Sequence, residues 1–307
     1  MELITGENDR GRRLDRVLRK ALPDCPLPLL YRFLRQGRIL VNGKPAKAQN
    51  RLDCGDTVRI PPLKDAPRAA PAVKTLPSPD ILRQGMGLLA VNKPSALAVH
   101  GPGSLDETVR SFLADKLPPS LSFKSGPLHR LDKPSSGIVV FSTSLEGARL
   151  FSSLLRERKV RKTYLAIVEG TVKNGEIWED ELLRDRERKK TFVSNPGSAD
   201  GKTGKTAITK IKPLASKGGY SLLVAEIATG RTHQIRAQAA SHGHPLAGDI
   251  KYGGGRGGFF LHAWKLEFLE HSIEAPLPAA FKEKTAALFG IAHNVPPLVA
   301  DRDLRGN

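Results

Sequence analysis

Residues 61–79 read PPLKDAPRAAPAVKTLPSP, a stretch in which Pro and Ala dominate and apolar residues follow neither a helix nor a strand period. Such a segment reads as a semi-rigid, exposed linker. It divides the chain into two parts that must each bury a core of their own. The expected organisation is a small module at 1–60, the linker at 61–79, a larger body at 80–295 and a polar tail at 296–307.

The first part is basic, with 13 Lys/Arg against 7 Asp/Glu over residues 1–60. Leu14, Val17, Leu18 and Ala21 recur at helical spacing, while Arg12, Arg13, Arg16, Arg19 and Lys20 occupy the other faces. Pro23, Pro26 and Pro28 interrupt this helix, and Leu29, Leu30, Phe33 and Leu34 predict a second one stopped by Gly37. Arg38 to Lys44 predicts a short strand running into an Asn42-Gly43 hairpin turn, with Gly55 to Ile60 as the closing strand.

In the body, strand and helix signals alternate. Gly87–Val91, Gly137–Phe141, Tyr164–Val168, Thr206–Ile211, Leu222–Ile227 and Phe259–Phe268 predict strands. Thr143 and Glu146 have capping-box spacing ahead of a helix whose Leu145, Ala148, Phe151, Leu154 and Leu155 share one face. Thr232–Ser241 predicts a helix closed by Gly243. There is no internal repeat. The expected fold class is α+β: a small N-terminal helix-plus-sheet module followed by a mixed, mainly antiparallel sheet with helices.

Charge narrows the partner. Lys plus Arg number 49 against 31 Asp plus Glu, a net +18 with pI near 10.1. A field of that sign attracts polyanions, and nucleic acid is the commonest of them. A membrane-surface protein would want a basic amphipathic helix with a Trp and Phe face, and none is present. No apolar run reaches the roughly 20 residues needed to span a bilayer. The N-terminus lacks the apolar stretch of a secretory signal. With Cys25 and Cys54 the only cysteines, a reducing cytoplasm is the expected location.

Three segments carry chemistry. Leu128-His129-Arg130-Leu131-Asp132-Lys133-Pro134-Ser135-Ser136-Gly137 puts a carboxylate in a polar loop before an apolar strand, between basic neighbours that favour its ionised form. That suits nucleophilic or general-base work. Thr229 to Arg236 ends a strand, turns at Gly230 and opens a polar helix, with His233 and Arg236 three residues apart and a helix N-terminus that favours anions. Tyr164 alternates with Ala166 and Val168, so all three share one face of a strand. Taken singly, each segment is equally explained by structure alone: a turn-forming Asp, a basic helix start, a core Tyr. His233, His242, His244 and His262 match no zinc spacing, so no metal is expected. Gly197 to Thr203 falls one residue short of a phosphate loop and precedes a strand pattern, so it reads as a basic surface loop. Arg184 to Lys190 reads as a solvated or RNA-facing charge run.

Together the segments resemble the RluA-type family of pseudouridine synthases, especially its ribosomal large-subunit members. The motifs stand in family order over about 180 residues: Asn92-Lys93-Pro94-Ser95, then Val99-His100-Gly101, His129-Arg130-Leu131-Asp132 with Ser136-Gly137, and Lys162 with Tyr164. Gly230 to Arg236 follows, then Gly243-His244-Pro245, Gly248-Asp249, Tyr252-Gly253 and Leu261-His262-Ala263. The stretches Val99 to Gly103 and Arg59 to Pro62 are most similar to the RluC type. The N-terminal module resembles the RNA-binding domain named after the fourth small-subunit ribosomal protein, through Arg13-Leu14-Asp15, Leu34 to Gly37, Val41-Asn42-Gly43 and Gly55-Asp56. One departure is Lys133-Pro134-Ser135, where family members more often carry Arg-Asp-Thr.

The resemblance implies an isomerase that needs no cofactor, acts on RNA and most of all on large-subunit ribosomal RNA, and works as a monomer. It implies Asp132 as the catalytic carboxylate, attacking C1′ of the ribose or assisting deprotonation at C2′. It implies Arg236 as the basic partner of Asp132, and Tyr164 as the residue that packs on the flipped uracil and is placed to take the C5 proton. Arg130 would enter the space left by the flipped base. His129, Lys162, Arg231 and His233 would contact substrate RNA, with Arg13, Arg35 and Lys44 doing so on the module. Two rivals stand beside this reading: a non-catalytic RNA-binding or ribosome-assembly factor, and a hydrolytic glycosidase, for which no second motif-borne carboxylate stands out. A transfer-RNA substrate is the alternative within the family.

Overall fold

The computed structural model describes residues 1–62, 77–194 and 204–291. Most of the expected linker, the Gly197–Thr203 loop and the tail at 296–307 lie outside the described residues. The N-terminal module consists of β1 (Glu2–Ile4), α1 (Leu14–Ala21), α2 (Leu27–Arg35), β2 (Leu40–Val41), β3 (Lys44–Pro45) and β4 (Thr57–Arg59). Its sheet runs β1-β4-β2-β3. The apolar stripe of α1 is buried as its spacing predicts, with Leu14, Val17 and Leu18 packed on Leu30, Phe33 and Leu34 of α2. Asn42 and Gly43 both take positive φ, 51° and 78°, as the β2–β3 turn requires.

The body contains β5 (Ile81–Gly85), β6 (Leu88–Lys93), α3 (Leu105–Leu113), β7 (Ser136–Ser142), α4 (Leu145–Arg156) and β8 (Val160–Glu169). It continues with β9 (Glu176–Asp185), β10 (Lys190–Val193), β11 (Lys205–Lys217), β12 (Tyr220–Ile227) and α5 (Gln234–Ser241), then β13 (Leu261–Phe268), β14 (His271–Glu274) and α6 (Ala279–Phe289). The strands form one sheet in the order β10-β9-β11-β12-β8-β13-β7-β6-β5, with β14 paired to β13. The ladders are antiparallel except between β13 and β7, where His262 faces Ser136 and Ala263 faces Gly137. The sheet is therefore mixed.

Alternation along β8 sets the two faces. Tyr164, Ala166 and Val168 point to one side with Leu223 and Ala225 of β12, under Ile235 and Ala239 of α5. Leu165 and Ile167 point to the other, with Phe281 of α6. Farther along, Ile138 and Val140 of β7 pack on Phe151 and Leu154 of α4. The short parallel contact between β13 and β7 is a close approach: a Cβ at Gly137, whose φ is +109°, would lie 2.2 Å from the Ala263 carbonyl oxygen. Only glycine allows the strands to meet there, and the loop carrying Asp132 enters the sheet at that point.

Two local expectations differ from the structure. The helix after β7 is capped by Ser144, whose hydroxyl accepts the Gly147 N–H at 3.0 Å, so Thr143 lies one residue too early to be the cap. The helix expected from Thr232 begins at Gln234, because His233 takes a left-handed conformation with φ 55°. The Arg184–Lys190 charge run is the turn and flanks of the β9–β10 hairpin.

Candidate active site

The Asp132 loop is fixed from below. Lys93 at the end of β6 is fully buried and donates its Nζ to the carbonyls of Leu97 (2.8 Å), Pro94 (2.9 Å) and Lys133 (3.2 Å). Burial lowers its pKa to about 8, and the charge of Asp132 opposes that fall. The Ser135 N–H closes a turn on the Asp132 carbonyl at 3.1 Å. At the start of β7, Ser136 Oγ meets His262 Nδ1 at 2.8 Å, while His262 Nε2 faces the Ala275 carbonyl at 3.2 Å. A carbonyl only accepts, so Nε2 carries the proton and Nδ1 accepts the serine hydroxyl.

Across the cleft, α5 presents Arg236 to this loop. Its Nη1 donates to Asp132 Oδ2 at 3.1 Å. Its Nε and Nη2 form a bidentate pair with Asp249, at 2.7 and 2.8 Å. The guanidinium also lies 5.0 Å from the Tyr252 ring centroid and 5.2 Å from that of Phe259. Burial works against its charge, but the two carboxylates outweigh it and hold its pKa above the ordinary value.

His233 supplies a second group to Asp132, with Nε2 3.8 Å from Oδ1. Its Nδ1 lies 2.8 Å from the Tyr252 hydroxyl, which accepts the Thr191 N–H at 2.8 Å. Arg184 Nη1, which can only donate, also approaches Nδ1 at 3.5 Å, so Nδ1 accepts and the imidazole carries its own proton on Nε2, toward Asp132. Burial lowers the His233 pKa to about 4, with Asp132 opposing and Arg236, Arg184 and Lys251 adding to the fall, so the ring is neutral at pH 7. Gln234 anchors the turn behind it: its Oε1 accepts the Arg231 N–H at 3.0 Å and the Thr229 hydroxyl at 2.8 Å.

Asp132, Tyr164, Arg236, Arg130, Arg231 and His233 all line one open cleft, together with Leu131, Ile235 and Leu261. Burial and the charge of Asp132 both push the Tyr164 phenol to higher pKa, so it is neutral. Arg130 is exposed at the rim, and Arg231 rests its Nε on the Thr206 carbonyl at 3.0 Å.

His129 and Lys162 are not among the residues lining the cleft. The His129 ring stands 6.2 Å from Phe151, and its Nε2 accepts the Val140 N–H at 3.1 Å. It braces the loop against β7, which corrects its expected place against substrate. Lys162 is largely buried, which lowers its pKa, and its charge acts on His129. Arg13 is bound in a bidentate pair to Asp15 at 3.1 and 2.9 Å, whereas Arg35 and Lys44 are exposed on the module.

Known proteins resemble this chain in both of its parts. The sequence pattern of the RNA pseudouridylate synthase family matches residues 87–241, and that of the S4 domain matches 12–58. The ribosomal large subunit pseudouridine synthase C of Vibrio vulnificus is 34% identical over 289 residues, covering 88% of this chain and 89% of the relative. Its namesake from Escherichia coli is 32% identical over 302 residues, covering 90% and 92%. The chain belongs to the RluA-type RNA pseudouridine synthases. It is RluC-like within them. The fold is shared with human RNA pseudouridylate synthase domain containing 4, at TM-score 0.57 and 22% identity over 67% of this chain and 91% of that one.

Asp249, Tyr252 and Lys93 touch the residues of the candidate site or its loop and were not among the expected site residues, although all three stand in quoted motifs. Asp249 also corrects the expectation that no second motif-borne carboxylate stands out, since it belongs to the Gly248-Asp249 motif and is joined to Asp132 through Arg236. It is 2% exposed and both its oxygens are occupied by Arg236, so it is not free to act as the second acid of a glycosidase. Among the described residues, no cluster of three or more His, Cys, Asp or Glu could hold a metal ion. No helix among them is long and apolar enough to cross a membrane.

Three histidines are expected to make the synthase less stable in acid. Burial pushes His129 down to about 3 (Lys162 adding to it), and His233 and His262 down to about 4. Between those values and the ordinary 6.5 the unfolded chain binds more protons than the folded one, so stability rises with pH there. The contribution is complete above pH 6.5 and is lost as pH falls toward 4. Each ring contributes up to about 1.4 kcal/mol per pH unit. Thermal unfolding at pH 7.5 and pH 5 is expected to show a drop in Tm at pH 5 that His262→Gln reduces. An unchanged Tm contradicts the assignment of neutral buried rings.

Proposed function

We propose that this synthase isomerises uridines in large-subunit ribosomal RNA, with Asp132 as its catalytic carboxylate. The observation that carries the reading is the pinning of Asp132 Oδ2 by Arg236, itself held by Asp249, in the cleft that Asp132 lines, with Oδ1 3.8 Å from His233 Nε2. Asp132 acts on the ribose of the target nucleotide, at C1′ as nucleophile or at C2′ as base. On both routes the N1–C1′ bond breaks, the uracil turns, and a C5–C1′ bond forms. C5 loses its proton and N1 gains one, so the change is redox-neutral. Tyr164 packs on the flipped base, and its phenol, neutral at rest, takes the C5 proton as its own hydroxyl proton passes to solvent, while Arg130 at the rim fills the vacated stack. Arg231 and the exposed Arg35 and Lys44 hold phosphates.

The ribosomal substrate is supported by likeness to large-subunit relatives across both parts of the chain, and by the net +18. Cys25 and Cys54 are free thiols, which suits a cytoplasmic protein, and we read the working form as a monomer. The test is tritium release from C5-labelled uridine in unmodified large-subunit ribosomal RNA and, separately, in transfer RNA. Release from the ribosomal RNA alone is expected. Release from transfer RNA alone overturns the substrate and keeps the chemistry.

A further inference from the structure

Residues Gly6 to Asp9 do something the reaction does not require. They tie the N-terminal module directly to the body. Asp9 is fully buried, and its carboxylate accepts from five groups. One is the Gly6 N–H of its own turn, at 3.0 Å. The other four come from the body: the Ser120 hydroxyl (2.9 Å), the Leu121 N–H (2.9 Å), the Ser122 N–H (3.0 Å) and the Ser122 hydroxyl. Arg12 of the module also donates to Ser122 Oγ. Asn8 Oδ1 accepts the N–H of Leu145 at 2.7 Å, so the module satisfies an orphan donor in the first turn of α4. Gly6 is a close approach of the two parts: a Cβ there would lie 1.8 Å from the Pro119 carbonyl oxygen. Leu121 packs against the module's own core. Burial would raise the Asp9 pKa, but the hydrogen bonds from Ser122, Gly6, Leu121 and Ser120 outweigh it and hold it below the ordinary value.

We propose that Gly6, Asn8 and Asp9 form a latch that holds the RNA-binding module at a fixed offset from Asp132, making Asp9 a positioning residue for the choice of uridine. A rigid joint adds something that a tether does not. The module exposes Arg16, Arg19, Lys20, Arg32 and Arg35. Phosphate contacts from such residues set register and orientation but carry no sequence information. On a flexible tether they would raise affinity for any nearby RNA through effective concentration. On a rigid joint they act as a ruler: an RNA helix seated on the module brings one uridine, at one distance and direction, to the cleft. The inference rests on the proposed action on structured RNA.

The test uses the full-length protein with Asp9→Ala and, as a second variant that keeps the Asp9 carboxylate, Ser122→Ala. Spin labels on Cys54 and on Ser152→Cys in α4, with Cys25→Ser removing the other native thiol, report the distance between module and body. A narrow distribution is expected in the parent and a broad one in both variants. Tritium release is then followed on a large folded ribosomal RNA fragment and on a short stem-loop carrying the same uridine. The rate on the stem-loop is expected within twofold of the parent, and the rate on the fragment at least tenfold lower, with new modified uridines appearing. A purely structural role for Asp9 lowers both rates together. A distribution that stays narrow in both variants, or an unchanged ratio of the two rates, overturns the latch. If the parent releases tritium from neither RNA, the catalytic reading fails, and the label distances still decide whether the joint is rigid.

Discussion

Asp132→Asn is expected to lower single-turnover tritium release by about 10⁴-fold or more while leaving RNA affinity within a few-fold. The loss follows from the proposed role. A group that bonds to or deprotonates the ribose has no substitute in the cleft, and removal of such groups commonly costs 10⁴ or more in rate. Retained affinity follows from electrostatics. The amide of the variant still offers an oxygen to Arg236 Nη1, and Arg236 keeps both contacts to Asp249. Removing a negative charge beside a polyanion does not oppose binding. Filter binding at fixed salt gives the affinity. Residual activity above about 1% would move the chemistry to another group. Affinity falling with activity would make Asp132 a binding residue and restore the non-catalytic reading.

The part of this site that could be read from sequence was the part written in contiguous residues. The Asp132 loop announces itself by a carboxylate between basic neighbours and by the Gly137 that ends it. The left-handed His233 and the late start of α5 do not, since only the turn held by Gln234 forces that backbone. Asp249 lies 13 residues from Arg236 in the chain. Nothing in sequence spacing pairs them, because the intervening residues reverse direction after α5 before Asp249 reaches the guanidinium. His129 shows the converse. Its place beside Arg130 and Asp132 suggested contact with substrate, yet the backbone turns it toward β7 and Phe151.

The strands behave the same way. β7 and β12 are apolar on both faces and could be recognised by composition. β9 could not. Its inward positions are Trp178, Asp180 and Leu182, and the charged Asp180 breaks the apolar alternation. Asp180 is tolerated there because the Gln238 amide donates to it at 2.7 Å and His242 Nε2 lies 3.2 Å away. Partners 58 and 62 residues distant make a charged residue fit a strand interior, and no local rule anticipates them. β10 is short and ends the sheet, yet its Thr191 N–H reaches the Tyr252 hydroxyl, which in turn meets His233 Nδ1.

Asp249→Asn is expected to cost about 3–5 kcal/mol of stability and at least about 10²-fold in kcat, with RNA affinity little changed. Asp249 is 2% exposed and gives Arg236 two charge-assisted hydrogen bonds. In the amide, one of those oxygens becomes a donor facing a donor, and the buried guanidinium loses one of its two counter-charges. A buried charged N–H left facing a donor, with no acceptor of its own, is the costly state. Arg236 then has one carboxylate left, Asp132, and rotates to take both its oxygens. That captures Oδ1 as well as Oδ2, so the nucleophile or base is tied up as well as displaced. The double variant Asp249→Leu with Arg236→Met separates the effects: with both charges gone, much of the stability returns while kcat stays low. Thermal unfolding and single-turnover rates on the three proteins decide it. If Asp249→Asn keeps its Tm and its kcat, the pair is not what holds Arg236 against Asp132, and the stacking of the guanidinium on Tyr252 and Phe259 must do so instead.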